Sequence, residues 1–475
     1  MDKATVLVID GGGRGSVLVD KYLQSNHVEK VLAIPGNDLM DQGSQKPVKI
    51  FPEIKTTDIA KIIKICKKEK VDLIDVAHDD AVAVGLTDLL LKEGFKVFGP
   101  TKAAGQIEWD KAFARNFMRK LKIPIPVYKI CKSQKEGFDF IKEREEGEWF
   151  IKASGLAAGK GALYAKNNRE ALKKIYQMNN FGKAGKTFLI EECLYGEEFS
   201  SFAIVDGENF ILVGHAQDHK PVFDGNIGPN TGGMGCASPP MVITPKIKKQ
   251  IKSIFKKTVE GLVKIGCPYR GVLYLGGMID KNAKVVVIEF NARWGDPEAQ
   301  VIIPAIKNDL YELASFVLAG KIAKIKITKD NFYRIVVTVA SRGYPGDYSR
   351  VIGKQIFGLD HLLRHPASSL RHPASPLRHP EPFDCHSERS EESQGKLREG
   401  SYQVFGAGVK KSNGNYLVSG GRLFYVMAKG KNVAQARQIA YNALSLVSVQ
   451  RNNLHYRTDI GFRDLERFRK LKNDL

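Results

Sequence analysis

Cysteine is scarce in this sequence of 475 residues, and the six cysteines lie far apart, with no Cys-x-x-Cys pair. This spacing supports neither a zinc ribbon nor a disulfide framework, and it suits a reducing compartment. No run of about 18 apolar residues occurs, so no membrane-spanning helix is predicted. The first ten residues lack the layout of a signal peptide and lead directly into a predicted strand. We therefore expect a soluble, cytoplasmic protein.

Acidic residues are too few to balance the basic ones: 52 Asp and Glu stand against 73 Lys and Arg, a formal charge of +21. The 43% of apolar residues excludes a wholly disordered chain. Between Lys246 and Gly266, apolar residues recur at helical spacing and lysines fill the other face. This pattern favours solvated lysine-rich faces and anionic small substrates. A nucleic-acid surface stays open as the alternative, although no aromatic-and-basic recognition motif supports it.

Strands alternate with helical patterns in the first hundred residues, which predicts a parallel, doubly wound α/β sheet. The predicted strands are Thr5–Ile9, Val31–Ile34, Leu73–Ala77 and Val97–Phe98. The loop Gly11–Gly15 follows the first strand, where it could hold an anion or merely allow a tight turn. Later in the chain we predict strands at Arg334–Ala340, Gln403–Val409 and Arg422–Met427, and a helix at Val433–Val449.

A near-repeat of seven residues, LRHPASS, LRHPASP and LRHPEP, breaks this pattern after Leu362. Proline stops a helix at each repeat, and the apolar content is too low for a core. Histidines are frequent here, but no set of partners at ligand spacing supports a metal site. We predict a disordered surface insertion at 361–400.

A glycine-rich loop with two lysines, Lys152 and Lys160, follows a predicted strand that begins at Trp149. Small residues let backbone N–H groups approach phosphate oxygens, and the lysines supply positive charge. The loop departs from the Walker pattern, because Ser154 stands where its first glycine would be and Gly161 replaces the final Ser or Thr. It predicts a flexible cover over phosphates, with a plain glycine turn as the alternative.

The stretch Val285–Glu298 carries the sharpest signal. Glu289 and Asn291 are two residues apart on a predicted strand and therefore share a face. Carboxylate and amide oxygens at a strand end suit Mg²⁺, and Arg293 could neutralise charge on a transferring phosphoryl group. A structural hydrogen-bonded pair is the alternative. Upstream, the predicted strand end at Phe188–Leu194 and Glu198 could hold a nucleoside, or be ordinary surface.

Four glycines between Gly228 and Gly235 predict a loop that shapes a ligand site, because so many glycines would weaken a packed element.

These stretches together resemble the ATP-grasp ligases and, within them, the phosphoribosylamine–glycine ligase family of purine biosynthesis. The resemblance is carried by Lys152–Gly161, Gly228–Gly235 and Glu289–Glu298, and by the later stretches Gly343–Tyr348 and Arg457–Gly461. It covers nearly the whole chain except 361–400. It implies an N-terminal doubly wound (pre-ATP-grasp) domain at 1–103 and a central ATP-grasp fold at 104–318, with a mobile lid at about 123–193. A smaller C-terminal α+β domain would follow at 319–475.

The resemblance also implies the activity: ATP-dependent ligation of glycine to 5-phosphoribosylamine through glycyl phosphate, by a monomer that binds no nucleic acid and no membrane. Arg293, Lys160 and Asp296 would be catalytic, and Glu289 and Asn291 would bind Mg²⁺ or Mn²⁺. The residues implied for ATP are Lys111, Lys152, Gly155, Gly159, Lys160, Gly161, Glu191, Glu192, Leu194 and Glu198. Those implied for the other substrates are Gly12, Gly13, Asp79, Asn230, Thr231, Gly232, Gly233, Met234 and Arg293.

Two N-terminal stretches depart from the family pattern. Gly15-Ser16-Val17 replaces the Glu-His-Ala that follows Gly-Gly-Arg in the family, and Ala77–Val82 replaces a Gly-Pro-Glu stretch while keeping a carboxylate at Asp79. Both stretches would help to hold phosphoribosylamine. An ATP-grasp ligase with a different amine acceptor is therefore the second hypothesis.

Overall fold

The computed structural model describes residues 3–41, 44–157, 159–364 and 401–473. The predicted insertion at 361–400 lies outside these residues except for 361–364, which end a short helix whose Leu362 is fully buried. Within the described residues, no helix combines the length and the hydropathy needed to cross a bilayer.

The first sheet has five parallel strands in the order β3-β2-β1-β4-β5. Successive residues of β1 enter different cores: Val6 and Val8 pack with the first helix, and Leu7 and Ile9 pack with the next three. Helices therefore cover both faces, as the predicted doubly wound sheet requires. The elements are β1 Ala4–Asp10, α1 Gly13–Leu23, β2 Val28–Pro35, β3 Val48–Ile50, α2 Ile59–Lys68, β4 Leu73–Val76, α3 Asp79–Val84, α4 Leu86–Lys92 and β5 Val97–Phe98.

A small antiparallel sheet in the order β6-β9-β7-β8 follows, with its own core around Trp149 and Ile151. The glycine-rich loop joins β7 to β8. The elements are α5 Lys102–Trp109, α6 Lys111–Lys120, β6 Tyr128–Cys131, α7 Gln134–Lys142, β7 Trp149–Ala153, β8 Ala162–Ala165, α8 Asn168–Gln177 and β9 Phe188–Glu192.

The largest sheet runs in the order β16-β15-β10-β11-β14-β17-β22-β19, with β24 beside β17. Its first part comprises β10 Glu197–Gly207, β11 Phe210–Asp218, β14 Gly235–Ser238, α9 Pro245–Lys264, β15 Tyr269–Ile279, β16 Val285–Asn291, α10 Ala299–Ile302 and α11 Leu310–Leu318. The hairpin of β12 Pro221–Phe223 and β13 Ile227–Asn230 projects between β11 and β14.

The same sheet continues through β17 Tyr333–Ser341, because β14 pairs with β17 from Gly235↔Val337 to Ser238↔Arg334. It thus crosses the predicted domain boundary at 318/319, and the domain bounds themselves stay a prediction. The remaining elements are β18 Gln355–Phe357, α12 Leu359–Arg364, β19 Ser401–Gly406, β20 Val409–Ser412, β21 Asn415–Val418, β22 Arg422–Gly430, α13 Val433–Leu444, β23 Ser448–Val449, β24 Leu454–His455 and α14 Phe462–Asn473.

Two late elements differ from the sequence prediction. The helix predicted to reach Val449 ends at Leu444, because Val449 is instead paired with Ile356 in a second small sheet. The strand predicted at Gln403–Val409 stops at Gly406, and β20 begins at Val409. A Cβ at Gly408 would lie 2.6 Å from the carbonyl oxygen of Arg422, so the chain needs a glycine where it bends.

Helix α9 gives a stability test, because Ile251 on its inner face is 0% exposed whereas Lys252 is exposed. We expect Ile251→Ala to lower the free energy of unfolding by about 2–5 kcal/mol, through lost apolar burial and a cavity. Lys252→Ala should change it by less than about 0.5 kcal/mol. Urea unfolding followed by circular dichroism measures both, and equal effects would contradict the assigned helix face.

Candidate active site

A cleft of about 730 Å³ lies where the first sheet, the sheet of β6 to β9 and the largest sheet meet. It continues into a chamber of about 130 Å³ that shares Lys111, Lys152, Glu191 and Glu289 with it. Among the described lining residues, ten acidic side chains outnumber six basic ones, although the whole chain is basic. The acidic residues are Asp10, Asp79, Asp80, Glu191, Glu192, Glu198, Asp218, Glu289, Asp296 and Glu298; the basic ones are Arg14, Lys111, Lys152, Lys220, Arg293 and Arg422.

A β-bulge at Ile288 aims the predicted metal ligands into this cleft. Strand β15 pairs Gly276 with Glu289 but Gly277 with Val287, so Ile288 is the extra residue on β16. Before the bulge Val285 and Val287 enter the core, whereas after it the core residue is Phe290. Without the bulge, Glu289 and Asn291 would share the core face of Val287. With it, both line the cleft.

The surroundings of Glu289 keep its carboxylate ionised, as a metal ligand requires. Burial raises the pKa of Glu289, but the positive charges of Lys111, Lys220, Lys152 and Arg293 outweigh that effect and lower the pKa overall. The carboxylate is therefore ionised at neutral pH, with the amide of Asn291 on the same strand face. Together with the acidic excess of the cleft, this oxygen pair matches the ligands that Mg²⁺ or Mn²⁺ takes.

Glu191 is the centre of a buried ion cluster. Its carboxylate accepts hydrogen bonds from Arg115 at 2.6 and 2.9 Å and from Lys152 at 2.7 Å. Burial raises the pKa of Glu191, but Lys152 and Arg115 have the larger, opposite effect, and the pKa falls to about 2. Both carboxylate oxygens are thus engaged inside the protein. The carboxylate therefore orients Lys152 at the edge of the cleft, and the implied contact of Glu191 with ATP stays a prediction.

The glycine-rich loop places its residues differently. Gly159 and Gly161 line the cleft, and Gly159 has a φ of +74° that favours glycine. Gly155 instead packs against Ala184, since a Cβ there would lie 2.9 Å from the Ala184 Cα. Lys160 is exposed and is not among the described residues that line the cleft. In this conformation its amine therefore needs a movement of the loop to reach a phosphate.

Glu192, Leu194 and Glu198 also line the cleft. Glu198 accepts a hydrogen bond from Lys220 at 2.7 Å, and Lys220 lowers the pKa of Glu198. Lys220 was not among the predicted site residues, although it follows β11, which pairs with β10 as the next strand along the chain.

Arg293 is held by a second residue that the sequence did not reveal. Glu108, at the end of α5, accepts from Arg293 at 2.9 Å and from the backbone N–H of Ala292 at 2.7 Å. Burial raises the pKa of Glu108 to about 7, although Arg293 acts in the opposite direction. Asp79 lines the same part of the cleft, and Arg293 acts to lower its pKa. The contact between Glu108 and Arg293 joins residues 185 positions apart, so no local pattern signals it.

The loop after β1 meets the segment after β16. Arg14 pairs with Asp10 at 2.5 Å and donates to the carbonyl of Trp294 at 3.0 Å. Gly12 lies beside Asp296, because a Cβ on Gly12 would be 3.1 Å from the Asp296 Oδ2. Gly12 and Asp296 both line the cleft. Arg14, which the family pattern keeps, therefore joins the first sheet to the largest one.

The loop at Gly228–Gly235 is divided between the cleft and the interior. Asn230, Thr231 and Gly232 line the cleft. Met234 is 0% exposed, and both its N–H and its carbonyl are bonded within the fold. Direct substrate contact by Met234 is therefore corrected to a packing role. Gly233 lies behind the wall against Pro297, and Gly13 lies under Tyr425, so neither lines the cleft.

Three family models match consecutive parts of the chain. The N domain of phosphoribosylglycinamide synthetase matches 4–108, its ATP-grasp (A) domain matches 109–299, and its C domain matches 384–463. The chain belongs to the phosphoribosylglycinamide synthetase family. This confirms the resemblance and, together with the sheets, the predicted α/β class with an ATP-grasp fold.

Curated relatives and solved structures agree with this family. The phosphoribosylamine–glycine ligase of Caldanaerobacter subterraneus is 35% identical over 96% of this chain and 99% of its own length. The trifunctional purine biosynthetic protein adenosine-3 of Bos taurus is 37% identical over 97% of this chain, which spans only 42% of that protein. The crystal structure of phosphoribosylamine–glycine ligase from Thermotoga maritima has a TM-score of 0.74 at 26% identity, covering 96% of this chain and 99% of its own.

The ion cluster at Glu191 predicts an acid-sensitive contribution to stability. Because the folded pKa lies near 2 and the usual value is 4.5, the contribution is complete above about pH 4.5 and is lost as the pH falls toward 2. Glu191→Gln should cost about 3–5 kcal/mol at pH 7, since two buried cations lose their partner.

Urea unfolding at pH 7, 4.5 and 3 measures this effect. The difference between wild type and Glu191→Gln should shrink from pH 4.5 to pH 3. Glu260→Gln, which breaks an exposed pair with Lys256 at 3.8 Å, is the control and should cost little at any pH. A difference that does not depend on pH would contradict the assignment.

Proposed function

We propose that this chain ligates glycine to 5-phosphoribosylamine, with ATP converted to ADP and phosphate. A glycine carboxylate oxygen attacks the γ-phosphorus of ATP, and ADP leaves, which gives glycyl phosphate. The amine nitrogen of phosphoribosylamine then attacks the acyl carbon, phosphate leaves, and the nitrogen loses a proton, which gives glycinamide ribonucleotide. Phosphorylation is needed because a carboxylate oxygen is a poor leaving group.

The observation that carries the proposal is the placing of Glu289 and Asn291 opposite Lys152 in one cleft, within a chain that matches the family along its length. Lys111 and Lys152 would contact the ATP phosphates, and Glu289 and Asn291 would hold Mg²⁺ or Mn²⁺. When bound, this ion would neutralise charge on the phosphate groups.

The glycine-rich loop between β7 and β8 is the part of the cleft that we propose to close over the nucleotide. Lys160 is exposed at this loop, so closure would carry its charge toward the phosphates. Closure would also keep water away from the acyl phosphate, which is labile to hydrolysis. Arg293, fixed by Glu108, would face the acyl end together with Asp296.

The acceptor end is proposed to lie between Gly12 and Asp79, which come from the two stretches that depart from the family pattern. Both line the cleft next to His78 and Asp80. From the resemblance to the family we propose a monomer, acting in the cytoplasm where purine precursors are made.

The first test is ADP release by purified protein with ATP, Mg²⁺ and glycine, with and without freshly generated phosphoribosylamine. We expect turnover to need both substrates and glycinamide ribonucleotide to appear by mass spectrometry. Turnover that needs glycine but ignores phosphoribosylamine would favour the second hypothesis, a ligase for another amine. No dependence on glycine would contradict the proposal as a whole.

Glu289→Gln tests the metal site. Replacing the carboxylate should lower kcat by about 10²-fold or more at limiting Mg²⁺, because the ion would lose its only charged ligand of this pair. Mn²⁺ binding measured by electron paramagnetic resonance should weaken in parallel. Glu260→Gln, which changes an exposed carboxylate of α9, is the matched control. Unchanged Mn²⁺ binding in Glu289→Gln would contradict the metal assignment.

A further inference from the structure

Two stretches that resemble the family, Gly343–Tyr348 and Arg457–Gly461, do not line the cleft among the described residues. Both nevertheless contact one segment, which consists of the β12–β13 hairpin and the glycine-rich turn after it. We call residues 228–235 the substrate loop, since its Asn230, Thr231 and Gly232 line the cleft.

The tip of the substrate loop is held at Gly232. The N–H of Gly232 donates to the hydroxyl of Tyr344 at 3.1 Å, and the carbonyl of Gly232 accepts from Arg422 at 2.9 Å. A Cβ on Gly232 would lie 3.0 Å from the Arg422 Cζ, so the guanidinium lies directly against the glycine. One residue later, the carbonyl of Gly233 accepts from the hydroxyl of Thr338 at 3.1 Å.

The second stretch holds the hairpin at its first residue and at its turn. Arg457 is fully buried and donates to the carbonyl of Pro221 at 2.9 Å and to the side chain of Asn226 at 3.0 Å. It also binds Asp459, which in turn accepts from the backbone N–H of Gly225 at 2.9 Å. The hairpin and the substrate loop that continues from it are therefore both bonded to the C-terminal region.

Arg422 joins the loop to a second wall of the cleft. The same guanidinium donates to the carbonyl of Asp296 at 2.8 Å and lies 3.5 Å from the carboxylate of Asp296. Asp296 approaches Gly12 of the first sheet. Both carbonyls accept from the same nitrogen, Nη1, so one donor group on β22 sets the distance between the substrate loop and the segment after β16. A lysine side chain ends one bond short of the position of Nη1.

We propose that Arg422 and Tyr344 are positioning residues, through which the C-terminal region fixes the substrate loop at the glycine and acyl-phosphate end of the cleft. This inference rests on the proposed function for the identity of the substrate, but not for the fixing of the loop. A small misplacement of a positioning group is costly in rate. Loss of either contact should therefore weaken the use of the substrates at this end of the cleft and leave the KM for ATP unchanged.

Arg422→Lys tests the junction by keeping the charge on a side chain that ends one bond short of Nη1. We expect the KM for glycine to rise about tenfold or more, while the KM for ATP stays within about twofold, because none of the lysines proposed for ATP contacts Arg422. Arg342→Lys is the control, since Arg342 is exposed and its guanidinium bonds, within the described part of the chain, to the carbonyl of Asn452 alone. A loss of folded protein would instead lower kcat and leave both KM values unchanged.

Tyr344→Phe removes a single hydroxyl and should raise the KM for glycine about fivefold. Tyr348→Phe is the matched control. Tyr348 lies in the same stretch, and its ring centroid is 6.3 Å from that of Tyr344, but its hydroxyl bonds to none of the described residues. Hydrogen exchange of a peptide that covers 228–235 gives a readout independent of activity. Both Arg422→Lys and Tyr344→Phe should speed this exchange several-fold, and both controls should leave it unchanged.

The outcomes separate the two proposals. A wild-type protein that does not use glycine would contradict the proposed function, and the exchange of the loop would still test the positioning. Wild-type exchange in both variants would overturn the positioning role, whatever the substrate. Faster exchange with unchanged KM for glycine and for phosphoribosylamine would also overturn it, because the loop would then be held without consequence for the substrates.

Discussion

A hydrogen bond of 2.5 Å from Arg115 to the carbonyl of Ile288 joins the two halves of the candidate site. The bulge removes this carbonyl from the regular ladder of β16, and Arg115 supplies the donor that it needs. The same guanidinium binds Glu191, and Glu191 binds Lys152. The strand that carries the oxygen pair and the lysine proposed for phosphate are therefore connected through one buried cation. Exchanging Arg115 for an apolar residue would remove both the donor to Ile288 and one of the two cations bound to Glu191.

The charge of the cleft differs from that of the whole chain. The chain carries a formal charge of +21, yet acidic side chains predominate around the cleft. ATP would bring further negative charge, and the divalent ion proposed at Glu289 would offset part of it. The excess of lysine lies elsewhere, as on the solvated face of α9. The overall charge of the protein therefore says little about the charge that its substrates meet.

The sequence predicted those features that depend on local pattern. Four of the five parallel strands of the first sheet and helix α9 follow from apolar periodicity, and the structure has them close to the expected bounds. The fifth strand, β3, was not predicted. The bulge at Ile288 was not predictable, because Val285-Val286-Val287-Ile288 is uniformly apolar and hides the change of face. Glu108 was missed for another reason: it looks like a surface acid in α5 until the fold brings Arg293 beside it.

The role of Arg422 could not be predicted from the sequence either, because its contacts depend on the fold of the whole chain. It begins a strand, β22, that was predicted only as a strand, and its neighbours Gly420 and Gly421 suggest a turn. Its role depends on the largest sheet passing from β14 through β17 to β22, since this order places the start of β22 over the substrate loop. A sheet that crosses the predicted domain boundary can transmit such a constraint because its strands share hydrogen bonds at every register. The C-terminal region is thus built into the site by strand order, because Arg422 both lines the cleft and holds the substrate loop.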